Sequence, residues 1–228
     1  MSGQLRFDSI FYTANQVQIL HGVYVEVDAG SICGMFGRNG SGKSTLLKIG
    51  AGAISPTSGT VFLNGHVFCT PSKRHRYQHL AYLSQSTCVP HDMQVSALLR
   101  AFPQRASQLT HNTRLATCLH QSVGALSGGE CRLLELILIL ALDRPFVLLD
   151  EPFSGIEPLI IEQMTALLTA QRQRGTGILL TDHYYRAVMP LLDTAYLLHG
   201  GHAESLDVRQ DVEGTLQKRG YLAPQKIL

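Results

Sequence analysis

Nine consecutive residues, Gly37-Arg38-Asn39-Gly40-Ser41-Gly42-Lys43-Ser44-Thr45, satisfy the pattern G-x-x-x-x-G-K-[ST]. Glycines at those positions let backbone N–H groups turn inward round a phosphate, and a helix starting at the end of the loop adds positive potential there. Lys43 is placed to reach the β- and γ-phosphates of a nucleotide, and the Ser44 hydroxyl to bind Mg²⁺. The run before the loop, Ile32 to Phe36, is apolar and reads as a buried strand, and Ser44 to Ile49 reads as a helix. The plain alternative is a glycine-rich turn without a ligand. The order strand, glycine loop, helix argues against it.

A second group lies downstream. Phe146-Val147-Leu148-Leu149-Asp150 reads as a strand, and it ends in two carboxylates, Asp150 and Glu151. Alone, such a pair is usually a solvated turn. Next to a phosphate loop it has a use: Asp150 holds Mg²⁺ through water, and Glu151 accepts a proton from an attacking water as general base. The nucleotide needs both at the carboxyl edge of the sheet.

The elements that must position these groups can be read coarsely. Val23 to Val27 alternates and reads as a half-buried strand. Thr60 to Leu63, followed by Asn64-Gly65, reads as one arm of a hairpin. Leu80 to Leu83, Ile178 to Thr181 and Ala195 to Leu198 read as further strands. Helices are expected over Asp92 to Phe102, Ser107 to Gln121, Gly128 to Leu142, Pro158 to Arg174 and Asp211 to Arg219. Strands alternate with helices except in the stretch from residue 86, which carries no strand signal. The expected fold is therefore α/β: a phosphate-loop NTPase sheet domain with N-terminal antiparallel strands and an inserted helical subdomain. Within one domain spanning residues 1–228, the catalytic core is expected over about 1–85 and 145–228 and the helical part over about 86–144.

Bulk properties narrow the function. A hydrophobic fraction of 45% and a charged fraction of 16% suit a large core and not disorder. The net charge of +2 is too mild for a nucleic-acid partner, and Lys73-Arg74-His75-Arg76 reads as a solvated loop. Cys33, Cys69, Cys88, Cys118 and Cys131 are scattered and form no C-x-x-C pair, which suits a reducing compartment and no zinc site. Met1 to Leu20 has no signal-peptide design, and the longest apolar run, Leu136 to Leu142, falls far short of the roughly 20 residues of a bilayer span. A cytoplasmic location is expected.

With those residues in place, the chain resembles the ABC ATPase family from about residue 5 to about residue 205. Leu126-Ser127-Gly128-Gly129-Glu130 is similar to the family's signature loop. On its own, Ser-Gly-Gly reads equally well as a helix N-cap. In the family that loop serves the nucleotide held by the opposite subunit, so the resemblance implies a head-to-tail homodimer with ATP sandwiched between subunits. Ser127, Gly128, Gly129 and Glu130 would then act in trans. Gln85 resembles the loop glutamine that touches Mg²⁺ and senses the membrane partner, and His183, after Ile178-Leu179-Leu180-Thr181-Asp182, resembles the switch histidine. Ser154-Gly155-Ile156-Glu157 resembles the loop linking the two active sites, and Tyr221-Leu222-Ala223 is similar to the ending of ATPases serving lipopolysaccharide and branched-chain amino acid transport. The resemblance implies ATP hydrolysis with Mg²⁺, an integral membrane subunit in a separate chain, and a location on the inner face of the cell membrane. Two other readings stay open: a soluble ABC ATPase of an assembly scaffold, of the iron–sulfur type, and a nucleotide-gated binding module with low turnover.

The chain departs from the family pattern at three places. Where the family carries an aromatic residue to stack on adenine, ungapped counting back from Gly37 reaches Ala14, with Phe11 and Tyr12 just upstream. Tyr12 is the nearer and is the expected adenine platform. The linking loop ends in Glu157 where the family favours Asp. The helix after the signature, Cys131-Arg132-Leu133-Leu134-Glu135-Leu136-Ile137-Leu138, lacks the family's usual alanine-arginine-alanine segment, so its packing is expected to differ. None of the phosphate or Mg²⁺ positions is lost.

Overall fold

The computed structural model describes residues 3–68, 78–208, 212–218 and 221. The Lys73–Arg76 cluster, Cys69 and the Leu222-Ala223 pair lie outside the described residues.

Two sheets organise the chain. The first is antiparallel, in the order β2-β1-β4-β5, built from β1 (Gln4–Ala14), β2 (Val17–Asp28), β4 (Ser58–Leu63) and β5 (His66–Val67). The turn between β4 and β5 is Asn64-Gly65, both at positive φ (52° and 77°), as a tight hairpin turn requires. β1 was not foreseen in the sequence, and the register explains why. Leu5 and Phe7 face inward, but the pairing with β2 shifts between Phe7 and Ile10, where Ser9 has φ 52°. The bulge resets the alternation so that Ile10 is again buried, and a period of two fails across it.

The second sheet has the order β10-β9-β3-β8-β7-β6. Its strands are β3 (Ile32–Phe36), β6 (Leu80–Leu83), β7 (Phe146–Asp150), β8 (Gly177–Thr181), β9 (Thr194–His199) and β10 (His202–Leu206). All pair in parallel except β10, an antiparallel edge strand. Every residue of β3, β7 and β8 is buried, as expected of central parallel strands covered on both faces. The fold is the expected α/β class.

The helices are α1 (Lys43–Ala51), α2 (Val95–Leu99), α3 (Pro103–Thr110), α4 (Gly128–Ala141), α5 (Pro158–Gln173), α6 (Tyr185–Val188) and α7 (Val212–Lys218). The helix expected over Ser107 to Gln121 stops at Thr110 and gives way to 3₁₀ turns at Arg114–Thr117 and Val123–Ala125. The Thr110 carbonyl accepts from both the Thr113 amide and the Thr113 hydroxyl, 2.9 Å each, a local turn that competes with helix propagation. The other expected helix, Asp92 to Phe102, is reduced to α2, and Pro103 opens α3 in the first turn, where its missing N–H costs nothing.

Two apolar clusters hold these layers. One lies between the two sheets and includes Phe7, Leu20, Val25, Leu46 and Leu148. The other runs from the opposite face of the parallel sheet into α2–α5 and includes Leu133, Leu136, Leu149, Phe153 and Met164. α4 meets it with Leu133, Leu134, Leu136 and Ile137 fully buried, so the helix packs through bulky side chains.

Candidate nucleotide site

The phosphate loop leaves β3 at Gly37 and enters α1 at Lys43. Only glycine suits its sharpest points. A Cβ on Gly37 would lie 2.5 Å from the Leu198 carbonyl oxygen, and one on Gly42, at φ 104°, would lie 2.7 Å from Leu20 Cδ2. Lys43 is buried, and its Nζ donates to the carbonyls of Gly37 at 2.7 Å and Arg38 at 3.1 Å. Burial pulls the ammonium's pKa down, against the raising charges of Glu151 and Asp150.

A cleft of about 540 Å³ opens over the loop. Asn39, Gly40, Ser41, Gly42, Lys43, Ser44 and Thr45 form its floor, and Gln85, Glu151, Ser154, His183 and Ile19 its walls. Residues separated by over a hundred positions thus meet at one sheet edge, because β3, β6, β7 and β8 all end there.

Two layers of carboxylate chemistry face the loop. Asp150 is 1% exposed and fully bonded: Oδ1 accepts from Ser44 Oγ at 2.9 Å and Thr181 Oγ1 at 3.1 Å, and Oδ2 from the Tyr82 hydroxyl at 3.1 Å. Burial, then the Asp150 charge, raises the Tyr82 pKa far above its ordinary value, so the phenol stays a donor. The adjoining oxygens of Ser44 and Asp150 are the hard donor set that suits Mg²⁺. Glu151 comes next, in a left-handed conformation at φ 50° that an ordinary residue rarely adopts, with its amide held by the Thr181 carbonyl at 2.8 Å. The strain aims its carboxylate into the cleft. There Oε2 accepts from Gln85 Nε2 and Oε1 lies opposite His183 Nε2, both at 2.9 Å.

Arg132 and Asp182 complete the site and were not singled out from sequence. Arg132 is 7% exposed on α4. Its Nη2 donates to the Asp150 and Glu151 carbonyls at 2.8 and 3.4 Å, and its Nη1 to the Ser84 carbonyl at 2.7 Å and Glu135 Oε2 at 3.1 Å. Glu135, 4% exposed, also accepts from the Cys88 amide at 2.7 Å. One buried ion pair therefore ties the backbone of Asp150 and Glu151 to the chain on either side of Gln85. The legible signal was opposite charges at i and i+3 in a stretch of helix otherwise apolar from Cys131 onwards, which must be paired if they are buried. Asp182 accepts from the amides of Phe153 and Tyr184, 2.7 Å each, joining the linking loop to the segment of His183. Burial raises its pKa, partly countered by those two amides.

The expected adenine platform falls elsewhere. Tyr12 does not line the cleft. It is half-buried against the cluster between the sheets, opposite Leu20, and Ile19 takes the wall beside Gly42. A second register shift, between Ile10 and Phe11, sets Tyr12 opposite Leu20. Phe11 stacks over Gly22, away from the loop. Ser127, Gly128, Gly129 and Glu130, expected to act in trans, do not line this chain's own cleft; Ser127 caps α4 in a reciprocal capping box with Glu130. Arg38 carries its guanidinium 5.5 Å from the Tyr221 ring centroid. Glu157 precedes α5 as its N-cap without a side-chain capping bond.

A family model described as ABC transporter matches residues 20–154, which holds the phosphate loop, the signature loop and both carboxylates. The chain belongs to the ABC transporter ATP-binding family. It is 32% identical to the lipopolysaccharide export system ATP-binding protein LptB of Acidithiobacillus ferridurans, over 99% of each chain. It is 29% identical to the LptB of Escherichia coli strain K12, over 81% of this chain and 82% of that protein. Among solved structures, the ATP-binding subunit of an ABC transporter overlays with a TM-score of 0.81 at 24% identity, over 95% and 93% of the two chains. A bacterial Atm1-family ABC exporter with ATP bound overlays with a TM-score of 0.82 at 20% identity, over 96% of this chain and 42% of that one. These likenesses confirm the fold. As an ABC transporter ATP-binding subunit, the chain is an ATP hydrolase.

Proposed function

We propose that the protein is the motor subunit of a transporter, closing head-to-tail on a second copy around ATP and Mg²⁺ and driving a membrane subunit in a separate chain. The observation that carries this reading is the Glu151 carboxylate, bracketed by Gln85 and His183 and aimed at the phosphate loop across one cleft.

In this reading the loop amides and Lys43 bind the β- and γ-phosphates, and the Lys43 ammonium exchanges two carbonyl acceptors for anionic oxygens. Ser44, Asp150 and Gln85 hold Mg²⁺, which supplies charge neutralisation across the phosphates. Glu151 orients a water and takes its proton, while His183 holds the carboxylate through Oε1. Ser127, Gly128, Gly129 and Glu130 serve the ATP of the other copy. Residues 86–144 form the helical subdomain that meets the membrane subunit, at the inner face of the cell membrane.

The relatives' names support transport over an assembly scaffold, and the export of a lipopolysaccharide-like cargo is the specific reading they favour. Substitution separates the two halves of the site. Lys43→Ala is expected to weaken nucleotide binding by the monomer. Ser127→Arg is expected to spare it and to stop hydrolysis by blocking the contact between copies. Equal loss of monomer affinity in both variants would remove the trans assignment.

A further inference from the structure

The signature loop of this chain carries a carboxylate where an anion is to be received. Glu130 Oε2 accepts from the Ser127 amide at 2.9 Å, and its other oxygen, Oε1, faces Arg114 Nε at 3.0 Å. The amides of Gly128 and Gly129 open α4, ahead of any intrahelical acceptor, and their positive potential is what a phosphate would meet. A bare carboxylate beside them would cancel that potential and repel the phosphate.

We infer that Arg114 is a positioning residue for the trans half of the site, which neutralises Glu130 so that the signature loop can close on the other copy's ATP. The inference rests on the dimer reading above. Three observations carry it. Glu130 is held in one orientation by the capping box, with its amide on Ser127 Oγ at 3.2 Å, so its charge cannot swing away from the loop. Arg114 keeps 59% of its side chain exposed, and its guanidinium is thus available on the surface that the signature loop presents. The same guanidinium also feels Glu157, the acidic residue at the end of the linking loop. One cation therefore pairs with the acid of the signature loop and lies within electrostatic reach of the acid that ends the linking loop.

The backbone at Arg114 is held without its side chain. Its amide donates to Gln163 Oε1 at 2.8 Å, and its carbonyl accepts from Thr117 Oγ1 at 2.9 Å. An exposed ion pair adds little to stability, so Arg114→Gln is expected to move the melting temperature by no more than about 2 °C.

The test is MgATP-driven dimerisation in the Glu151→Gln background, read by size-exclusion chromatography across ATP concentration. Adding Arg114→Gln is expected to raise the midpoint about tenfold, equivalent to about 1.4 kcal/mol. Arg114→Lys, which keeps the charge, is expected to stay within about threefold. When Glu130→Gln is also present, Arg114→Gln is expected to cost less than about twofold, because no carboxylate is left to neutralise. Equal cost of Arg114→Gln with and without Glu130→Gln overturns the inference while leaving the dimer intact. If Glu151→Gln alone stays monomeric at saturating MgATP, the dimer reading fails and takes this inference with it.

Discussion

Removing the Arg132 guanidinium tests how the catalytic edge is held. In Arg132→Met, Glu135 is left as an unpaired carboxylate at 4% exposure, and the Ser84 and Asp150 carbonyls lose donors at 2.7 and 2.8 Å. Breaking one partner of a buried ion pair costs about 3–5 kcal/mol. For a chain of this size each kcal/mol lowers the melting temperature by about 2–4 °C, so a fall of roughly 6–20 °C is expected. The double variant Arg132→Met/Glu135→Met replaces the pair by apolar side chains of similar length in an apolar cluster, and should regain most of that stability. It should not regain hydrolysis, because Asp150, Glu151 and the chain before Gln85 have lost their common tie. Thermal unfolding and steady-state ATP turnover on the two variants decide the matter. A double variant that recovers both stability and turnover would show that the tie is a packing device alone. A single variant that loses less than about 1 kcal/mol would refute the burial argument itself.

Two further outcomes follow from the site. Tyr12→Ala is expected to leave ATP affinity within about twofold, whereas Ile19→Ala, which removes apolar wall from the cleft, should weaken it by about fivefold, roughly 1 kcal/mol; equilibrium nucleotide titration reads both, and the opposite ranking would restore Tyr12 as the adenine platform. Lys43 has its folded pKa depressed by burial, so the folded state releases its proton at lower pH than the unfolded chain. The resulting penalty is present at neutral pH and is relieved as pH rises through the folded pKa towards the unfolded value of 10.5. Chemical denaturation of nucleotide-free protein from pH 7 upwards should therefore show wild type gaining stability relative to Lys43→Met; a difference that is flat with pH would contradict the assignment.

Much of the site was legible because its residues follow strands whose sequences announce themselves. Ile32 to Phe36, Phe146 to Asp150 and Ile178 to Thr181 are short apolar runs that stop at a glycine or an acid, and burial on both faces produces that pattern. What escaped depends on contacts between distant segments. The bulge at Ser9 hides β1, and the shift between Ile10 and Phe11 sets Tyr12 opposite Leu20, so that Ile19 and not Tyr12 lines the cleft. One miss is local: Ser107 to Gln121 reads as a single helix because composition does not reveal that Thr113 turns back to Thr110. Arg132 and Glu135 show an i, i+3 charge pair, but the sequence does not reveal what else Arg132 reaches; its four acceptors come from the end of β7 and the residue after it, the loop before Gln85, and its own helix.

The central claim is that Glu151 is the base whose loss traps a closed pair of subunits. The most direct measurement is ATP turnover together with the molar mass of Glu151→Gln in MgATP, determined by light scattering on the same sample. Turnover is expected to fall by at least about a hundredfold, as on losing a general base, and the mass to double from the 25.0 kDa of the single chain. A variant that turns over ATP normally and stays at the mass of one chain contradicts that claim.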